Sequence, residues 1–345
     1  MHEPAPTLIH AAPAAGVMTA AVARRYGGPD VVAIDQVAVP EPDDRQVLVR
    51  VEATSLNALD WHFVTGTPYF IRLLNGLRRP KRTIHGADVA GVVVATGSDV
   101  TRLRVGDAVF GETGGGGLGA HLVAEEDSLV HKPDGVSFDA AAATPVAGLT
   151  AIQGLRTHGA VGSGDAVLVN GAAGGVGTFA VQIAVALGAE VTAVCSTRNV
   201  EMVRRLGAAR VVDYTTDDVV ALGDRYDVVL DNVGNRTPAE CVELVKPGGR
   251  YVMVSGPKSN PWIDPIPHLV RMRLAFRGPH ATFHQFTASP NVEDLTALAG
   301  WLDSGEVVPE IDRVITLDGV RDAIAEIGTG HARAKIVMHP VRSAT

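Results

Sequence analysis

Residues 166–187 read AVLVNGAAGGVGTFAVQIAVAL, and the fold turns on how this stretch is read. Residues 166–169 are a short β-branched, apolar run that suits a buried strand, and the glycines after it end that strand sharply. From Val176 onward the apolar residues recur as Val176, Phe179, Ala180, Ile183, Ala184 and Leu187, the i, i+3, i+4 stripe of a helix lying on a sheet. Between them stands Ala172-Ala173-Gly174-Gly175-Val176-Gly177, an A-x-G-x-x-G form of the dinucleotide fingerprint. Gly174 lets the backbone approach a pyrophosphate, and Gly177 lets the helix pack closely on the strand. The helix start, around Ala173, Gly175 and Val176, presents free N–H groups to the anion. With a strand before it and an amphipathic helix after it, the motif indicates nucleotide binding rather than a merely structural turn.

At 345 residues the chain has room for about two domains. Hydrophobic residues make up 46% and charged residues 20%, the balance of a soluble globular protein. A net charge of −8 lacks the excess of Lys and Arg that neutralises phosphates, which argues against general nucleic-acid binding. No apolar run reaches the roughly 18 to 20 residues of a membrane span. Cys195 and Cys241 cannot form a disulfide framework, so a reducing cytoplasm is expected. Residues 1–17 lack a basic start and a continuous apolar segment, and are expected to form a loose extension rather than a signal peptide.

From residue 19 the chain is rich in β pattern: AAVARRY, VVAIDQVAV and QVLVRVEAT alternate or are β-branched, with Gly and Pro turns between them. Then come SLNALDWHF, the basic stretch 72–82, HGADVAGVVVATG, VGDAVFGE, AHLVAEEDSLVHKP and PVAGLTA. This ordered series, followed by the A-x-G-x-x-G unit, resembles the medium-chain dehydrogenase/reductases, in particular their zinc-free quinone oxidoreductase branch. The resemblance spans residues 18–341 and implies an α/β fold. A GroES-like, β-rich catalytic domain (residues 18–146) joins a Rossmann, doubly wound parallel-sheet domain (147–288), and residues 289–345 return to the first. A homodimer is expected.

The family's zinc enzymes use a Cys and a His where this chain has Asn57 and Ala87, neither of which supplies a thiolate or an imidazole. Two cysteines also cannot build a four-cysteine zinc lobe. His62, His85, His121 and His131 show no ligand spacing, so no metal is expected. In the nucleotide half, a second strand over 191–194 ends at Cys195-Ser196-Thr197-Arg198. An NAD site would place Asp or Glu at this tip to accept the ribose hydroxyls. Ser196, Thr197 and Arg198 are instead donors suited to a 2′-phosphate, so NADPH is the expected cofactor. The resemblance places Tyr214 beside the same phosphate, and Thr150, Asn232 and Ser255 around the nicotinamide, although Thr150 could equally start a helix and Asn232 or Ser255 cap one.

Residues 273–277 read as a last sheet strand, and 294–302 as a helix. Ala334 stands where the family often has Gly before its final strand, a departure expected to affect packing more than chemistry.

Asn57 is the first candidate for orienting the nicotinamide or a substrate carbonyl. Asp60 is expected to hold its loop, and Tyr69 is a candidate proton donor. Arg78, Arg79, Lys81 and Arg82 read as a solvated loop. Gly114 to Gly117 reads as a flexible turn near the domain cleft. The resulting expectation is metal-free, NADPH-dependent hydride transfer to a quinone or to the activated C=C of an α,β-unsaturated carbonyl compound. Two alternatives stand beside it: a pathway-specific enoyl or enone reductase, and a non-catalytic NADPH-binding interaction protein.

Overall fold

The alternating apolar pattern of the first part becomes strands β1 (Val17–Ala23), β2 (Val32–Ala38), β3 (Gln46–Leu56), β4 (Asp88–Thr96), β5 (Ala108–Glu112), β6 (His121–Glu125) and β7 (Leu129–His131). The computed structural model describes residues 16–256, 262 and 266–340, so most of the expected N-terminal extension lies outside the described residues. β1 and β2 pair antiparallel as a separate ribbon. β3, β4, β5 and β7 form an antiparallel run, with β6 laid on β3.

The second half alternates strand and helix, and its strands are parallel: β8 (Ala166–Asn170), β9 (Glu190–Cys195), β10 (Arg210–Asp213), β11 (Tyr226–Asp231), β12 (Val245–Met253) and β13 (Thr282–Gln285). They are ordered β10-β9-β8-β11-β12-β13. The order reverses between β8 and β11, and in a doubly wound sheet that reversal opens a crevice at the strands' carboxyl ends. β14 (Ile311–Thr316) and β15 (Lys335–His339) then carry the chain back, β15 pairing antiparallel with β3 to complete a seven-stranded sheet.

Phe179, Ala180, Ile183 and Ala184, on the helix Gly175–Ala186, are fully buried on the parallel sheet, as their stripe predicts. The cluster that includes them also takes in Phe110 from β5, Leu149 and Ile152 from the helix Pro145–Ile152, and Val337 from β15. One continuous core therefore ties the two sheets together and sets the cleft between them.

The expected strand over 273–277 is corrected. Those residues end a helix, Ile266–Ala275, and the last parallel strand is β13. Leu269, Met272 and Phe276 recur at helical spacing and pack beside Tyr251 and Phe283, a pattern that a five-residue window mistakes for alternation. Among the described residues no helix is long and apolar enough to cross a membrane.

Candidate active site

The crevice at the carboxyl ends of β8, β9 and β11 is the mouth of a cavity of about 700 Å³. Residues 56–62 and 327–335 close it from the other sheet. Ala173, Gly174, Gly175, Val176 and Gly177 all line it, and Gly174 is the N-cap of the helix without a side-chain cap of its own. A Cβ on Gly177 would lie 2.1 Å from the carbonyl oxygen of Gly171, so close packing of the turn requires glycine there. A Cβ on Gly174 would meet only that same oxygen, at 3.7 Å. The protein leaves open space in front of Gly174 and the uncapped helix start, as a pyrophosphate cradle requires.

At the β9 tip, Ser196, Arg198 and Tyr214 line the cleft. The Arg198 guanidinium donates to the carbonyl of His331 at 3.0 Å, which holds it against the returning segment and leaves other N–H groups for a ligand. Glu112 is the one carboxylate among the lining residues, and it lies on β5, not at this tip. Thr197 is placed differently from its expected role. It is not among the lining residues, because its hydroxyl bonds that of Thr215 at 2.7 Å beside Asp213. Thr150, Asn232 and Ser255 do line the cleft. Thr150 sits inside the helix Pro145–Ile152 rather than at its start, and its hydroxyl donates back to the Val146 carbonyl at 2.7 Å. Asn232 donates to the Asn170 carbonyl at 3.1 Å, and its buried Oδ1 has no partner among the described residues.

A buried polar network lies at the opposite wall. Lys335, at the first position of β15, is 2% exposed, and its Nζ donates to Asn57 Oδ1 at 2.6 Å and to Asp88 Oδ2 at 3.1 Å. Asn57 Nδ2 donates to the same Asp88 oxygen at 2.8 Å, as does the Ser55 hydroxyl. The Val146 N–H donates to the other Asp88 oxygen at 2.8 Å. Asn57 is thereby locked in one amide orientation. The Asp60 carboxylate accepts from the backbone N–H of Asn57 and of Gly86, each at 2.8 Å. Burial pushes its pKa up to about 6 in spite of those two bonds.

Glu112 borders the same cavity with one carboxyl oxygen buried and unpartnered. Burial, with Asp88 facing it across the β4–β5 ladder, pushes its pKa up to about 8, Lys335 working the other way. The cleft thus brings a buried lysine and a carboxyl group whose pKa is raised to one wall of a space that polar and apolar side chains both line.

Three placements correct the sequence reading. Tyr69 does not line the cleft; its ring packs edge-on against Trp262 at 4.4 Å and under the Arg72 guanidinium at 4.5 Å. Gly114, Gly115 and Gly116 line a separate cavity of about 460 Å³ beside Arg82 and His121. Ala334 bears on the site itself: its φ is +47°, its N–H donates to the Ala173 carbonyl at 2.8 Å, and it sets the backbone immediately before Lys335.

Lys335, Asp88 and Glu112 were not singled out from sequence. A lysine opening an otherwise apolar strand, KIVM, is the signal that could have found the first. Among the described residues no group of three or more His, Cys, Asp or Glu is placed to hold a metal ion.

Two family models match: "Alcohol dehydrogenase GroES-like domain" over residues 43–134 and "Zinc-binding dehydrogenase" over residues 206–338. A 2-methylene-furan-3-one reductase of Solanum lycopersicum is 36% identical over 330 residues, 92% of this chain and 77% of that protein. An NADPH-dependent alkenal/one oxidoreductase, chloroplastic, of Arabidopsis thaliana is 34% identical, over 94% of this chain and 80% of that one. Among solved structures, the quinone oxidoreductase from Coxiella burnetii superposes with a TM-score of 0.83 at 30% identity, covering 94% of this chain and all (100%) of that one.

Proposed function

This chain belongs to the zinc-free, quinone oxidoreductase-like branch of the medium-chain dehydrogenase/reductases, and from that membership and the geometry of the cleft we propose that it is a metal-independent NADPH-dependent reductase of quinones or of the activated C=C of α,β-unsaturated carbonyl compounds. The observation that supports this reading is the Lys335–Asn57–Asp88 network, a buried lysine bordering the cleft of a chain with Asn57 and Ala87 where the zinc enzymes have their Cys and His. Ala173 to Gly177 would hold the pyrophosphate, and Ser196, Arg198 and Tyr214 the 2′-phosphate. Thr150, Asn232 and Ser255 would hold the nicotinamide, which when bound supplies the hydride.

Reduction of an enone adds hydride at the β-carbon, leaving an enolate whose oxygen carries the charge, and a proton must then reach the α-carbon. Lys335 has a third N–H beyond the two that Asn57 and Asp88 receive, and it steadies that oxygen. Glu112, which keeps its proton near neutral pH, supplies the proton. With a quinone the same hydride and proton give the hydroquinone. Asp88 and Asp60 act by positioning, the first through Lys335 and Asn57, the second through the Asn57 loop.

The test is NADPH consumption by metal-free protein against quinones, alkenals and cyclic enones, with metal analysis alongside. Turnover supports the reading. No oxidation of NADPH with any of them, despite tight binding of the cofactor, would leave a non-catalytic binding protein. A strong preference for one bulky enone over simple quinones would favour the narrower enone-reductase reading. We also propose a homodimer, for which the open outer edge of β13 offers a pairing surface that light scattering would test. A reducing compartment such as the cytoplasm suits the two buried free thiols.

A further inference from the structure

Residues 69–82 and the helix Ile266–Ala275 carry seven of the seventeen large exposed apolar side chains among the described residues. Leu73 is 70% exposed, Leu74 74% and Leu77 68%, and Ile266, Val270 and Leu274 are exposed along one side of the helix. Single exposed leucines are ordinary on a protein surface, but a cluster of this extent is not. Trp262, four residues before the helix, sets its ring edge-on against Tyr69 of the first segment. In the helix, Leu269, Met272 and Phe276 face the core, so Ile266, Val270 and Leu274, at i, i+4 and i+8, form the outer side. Arg273 and Arg277 fall on that same outer side.

The charge on this face runs against that of the whole molecule. The chain has a net charge of −8, yet residues 69–82 contain Arg72, Arg78, Arg79, Lys81 and Arg82 with no Asp or Glu. Residues 266–279 contain Arg271, Arg273 and Arg277, again with no acid. The side chains of Arg78, Arg79, Lys81, Arg271, Arg273 and Arg277 make no ion pair or hydrogen bond with another described residue. Several exposed arginines elsewhere are paired, Arg24 with Asp35, Arg204 with Glu201 and Arg210 with Asp224, and those without a partner among the described residues, such as Arg104, Arg156 and Arg225, are scattered rather than clustered in sequence.

We propose that this face docks on an anionic lipid surface. Exposed leucines and a tryptophan beside unpaired cations match a bilayer interface. There the apolar groups enter the acyl boundary while the long basic side chains reach back to anionic headgroups. A second copy of the chain fits less well, because two-fold pairing would bring the same unpaired cations against each other. The face also continues directly from the helix Ala58–Thr65, whose Ala58, Leu59 and His62 line the cleft. If the proposed activity holds, docking sets the cleft mouth beside the phase into which apolar quinones and enones partition; the docking itself does not depend on that activity.

The test is co-sedimentation of the full-length chain with vesicles of phosphatidylcholine plus phosphatidylglycerol and with vesicles of phosphatidylcholine alone. We expect binding only where phosphatidylglycerol is present, and release as salt is raised. Each cation near such a surface strengthens partitioning by about fivefold, so Arg78→Gln/Arg79→Gln/Lys81→Gln should weaken it on the order of a hundredfold. Leu73→Ser/Leu74→Ser should weaken it as well, whereas Arg24→Gln/Arg25→Gln, elsewhere on the surface, should not. An unchanged melting temperature would show that each variant is folded. The proposal is overturned by absent binding, by equal binding to both vesicle types, or by substitutions that leave binding untouched. It is also overturned if the only effect of Leu73→Ser/Leu74→Ser is loss of a dimer in light scattering, or if only an acidic protein and no vesicle binds.

Discussion

Replacing Glu112 with Gln separates the two consequences of burying that carboxyl group. Its pKa rises from 4.5 to about 8, first because it is buried and then because Asp88 stands opposite it on β4. The folded state therefore binds the proton more tightly than the unfolded chain does. The stabilising contribution is fully present below pH 4.5 and is lost as pH rises through about 8. Within that window the slope is about 1.4 kcal/mol per pH unit, so from roughly pH 5.5 to pH 7.5 Glu112 alone removes about 3 kcal/mol. That is an upper figure, since the side chain borders the open cleft. Gln keeps the shape and cannot ionise, so Glu112→Gln should remove this part of the pH dependence and be the more stable protein at the alkaline end. Urea unfolding of both proteins at several pH values measures it directly. If the two stability curves run parallel, Glu112 is not held neutral by the fold, and its assignment as the proton source fails with it. The same variant should lower turnover by about 10²- to 10⁴-fold if the carboxyl group delivers the proton.

Lys335→Met should lower kcat by about 10²- to 10³-fold while NADPH binding, followed by fluorescence, stays within a few-fold; leaving Asp88 unpaired should also cost about 3–5 kcal/mol in unfolding experiments. Arg198→Ala should weaken NADPH by about 1.5–3 kcal/mol and NADH hardly at all, and equal losses in titration calorimetry would remove Arg198 from the 2′-phosphate site. Gly174→Ala should spare the melting temperature and weaken dinucleotide binding, whereas Gly177→Ala should destabilise the fold, because only the second Cβ has nowhere to go. Ala334→Gly, by relieving a left-handed alanine, should raise stability by about 0.5–1 kcal/mol, readable as a higher Tm.

The two halves of the cleft differed in how far sequence could reach them. The cradle is local: strand, glycines and helix follow one another within residues 166–187, and each residue's demand is met by near neighbours, so periodicity and glycine placement reveal it. The β9 tip is local too, so its position at the cleft followed from the strand pattern, except for Thr197, whose hydroxyl bonds that of Thr215, 18 residues on, through the pairing of β9 with β10. The opposite wall is non-local. Lys335 reaches Asn57 across 278 positions because β15 returns to pair with β3, and Asp88 and Glu112 face each other only because β4 and β5 share a register. No spacing rule encodes such a meeting. The motifs containing Asn57, Asp88 and Glu112 were visible as words, but their chemistry exists only as a group.

That division also explains why Ala334 was underestimated. Read along the chain it is a small residue before the final strand. In the fold it is the joint between the halves, its N–H bonded to Ala173 in the cradle and its carbonyl side leading straight into Lys335. A shift of the backbone at Ala334 would move the buried ammonium and the glycine turn together. The strained φ at this position is thus tied to how the acceptor's oxygen and the dinucleotide are placed relative to one another. If so, Ala334→Gly, although more stable, should loosen that placement. We expect kcat to fall by a few-fold with KM for NADPH nearly unchanged, whereas a role in packing alone would raise Tm and leave kcat where it was.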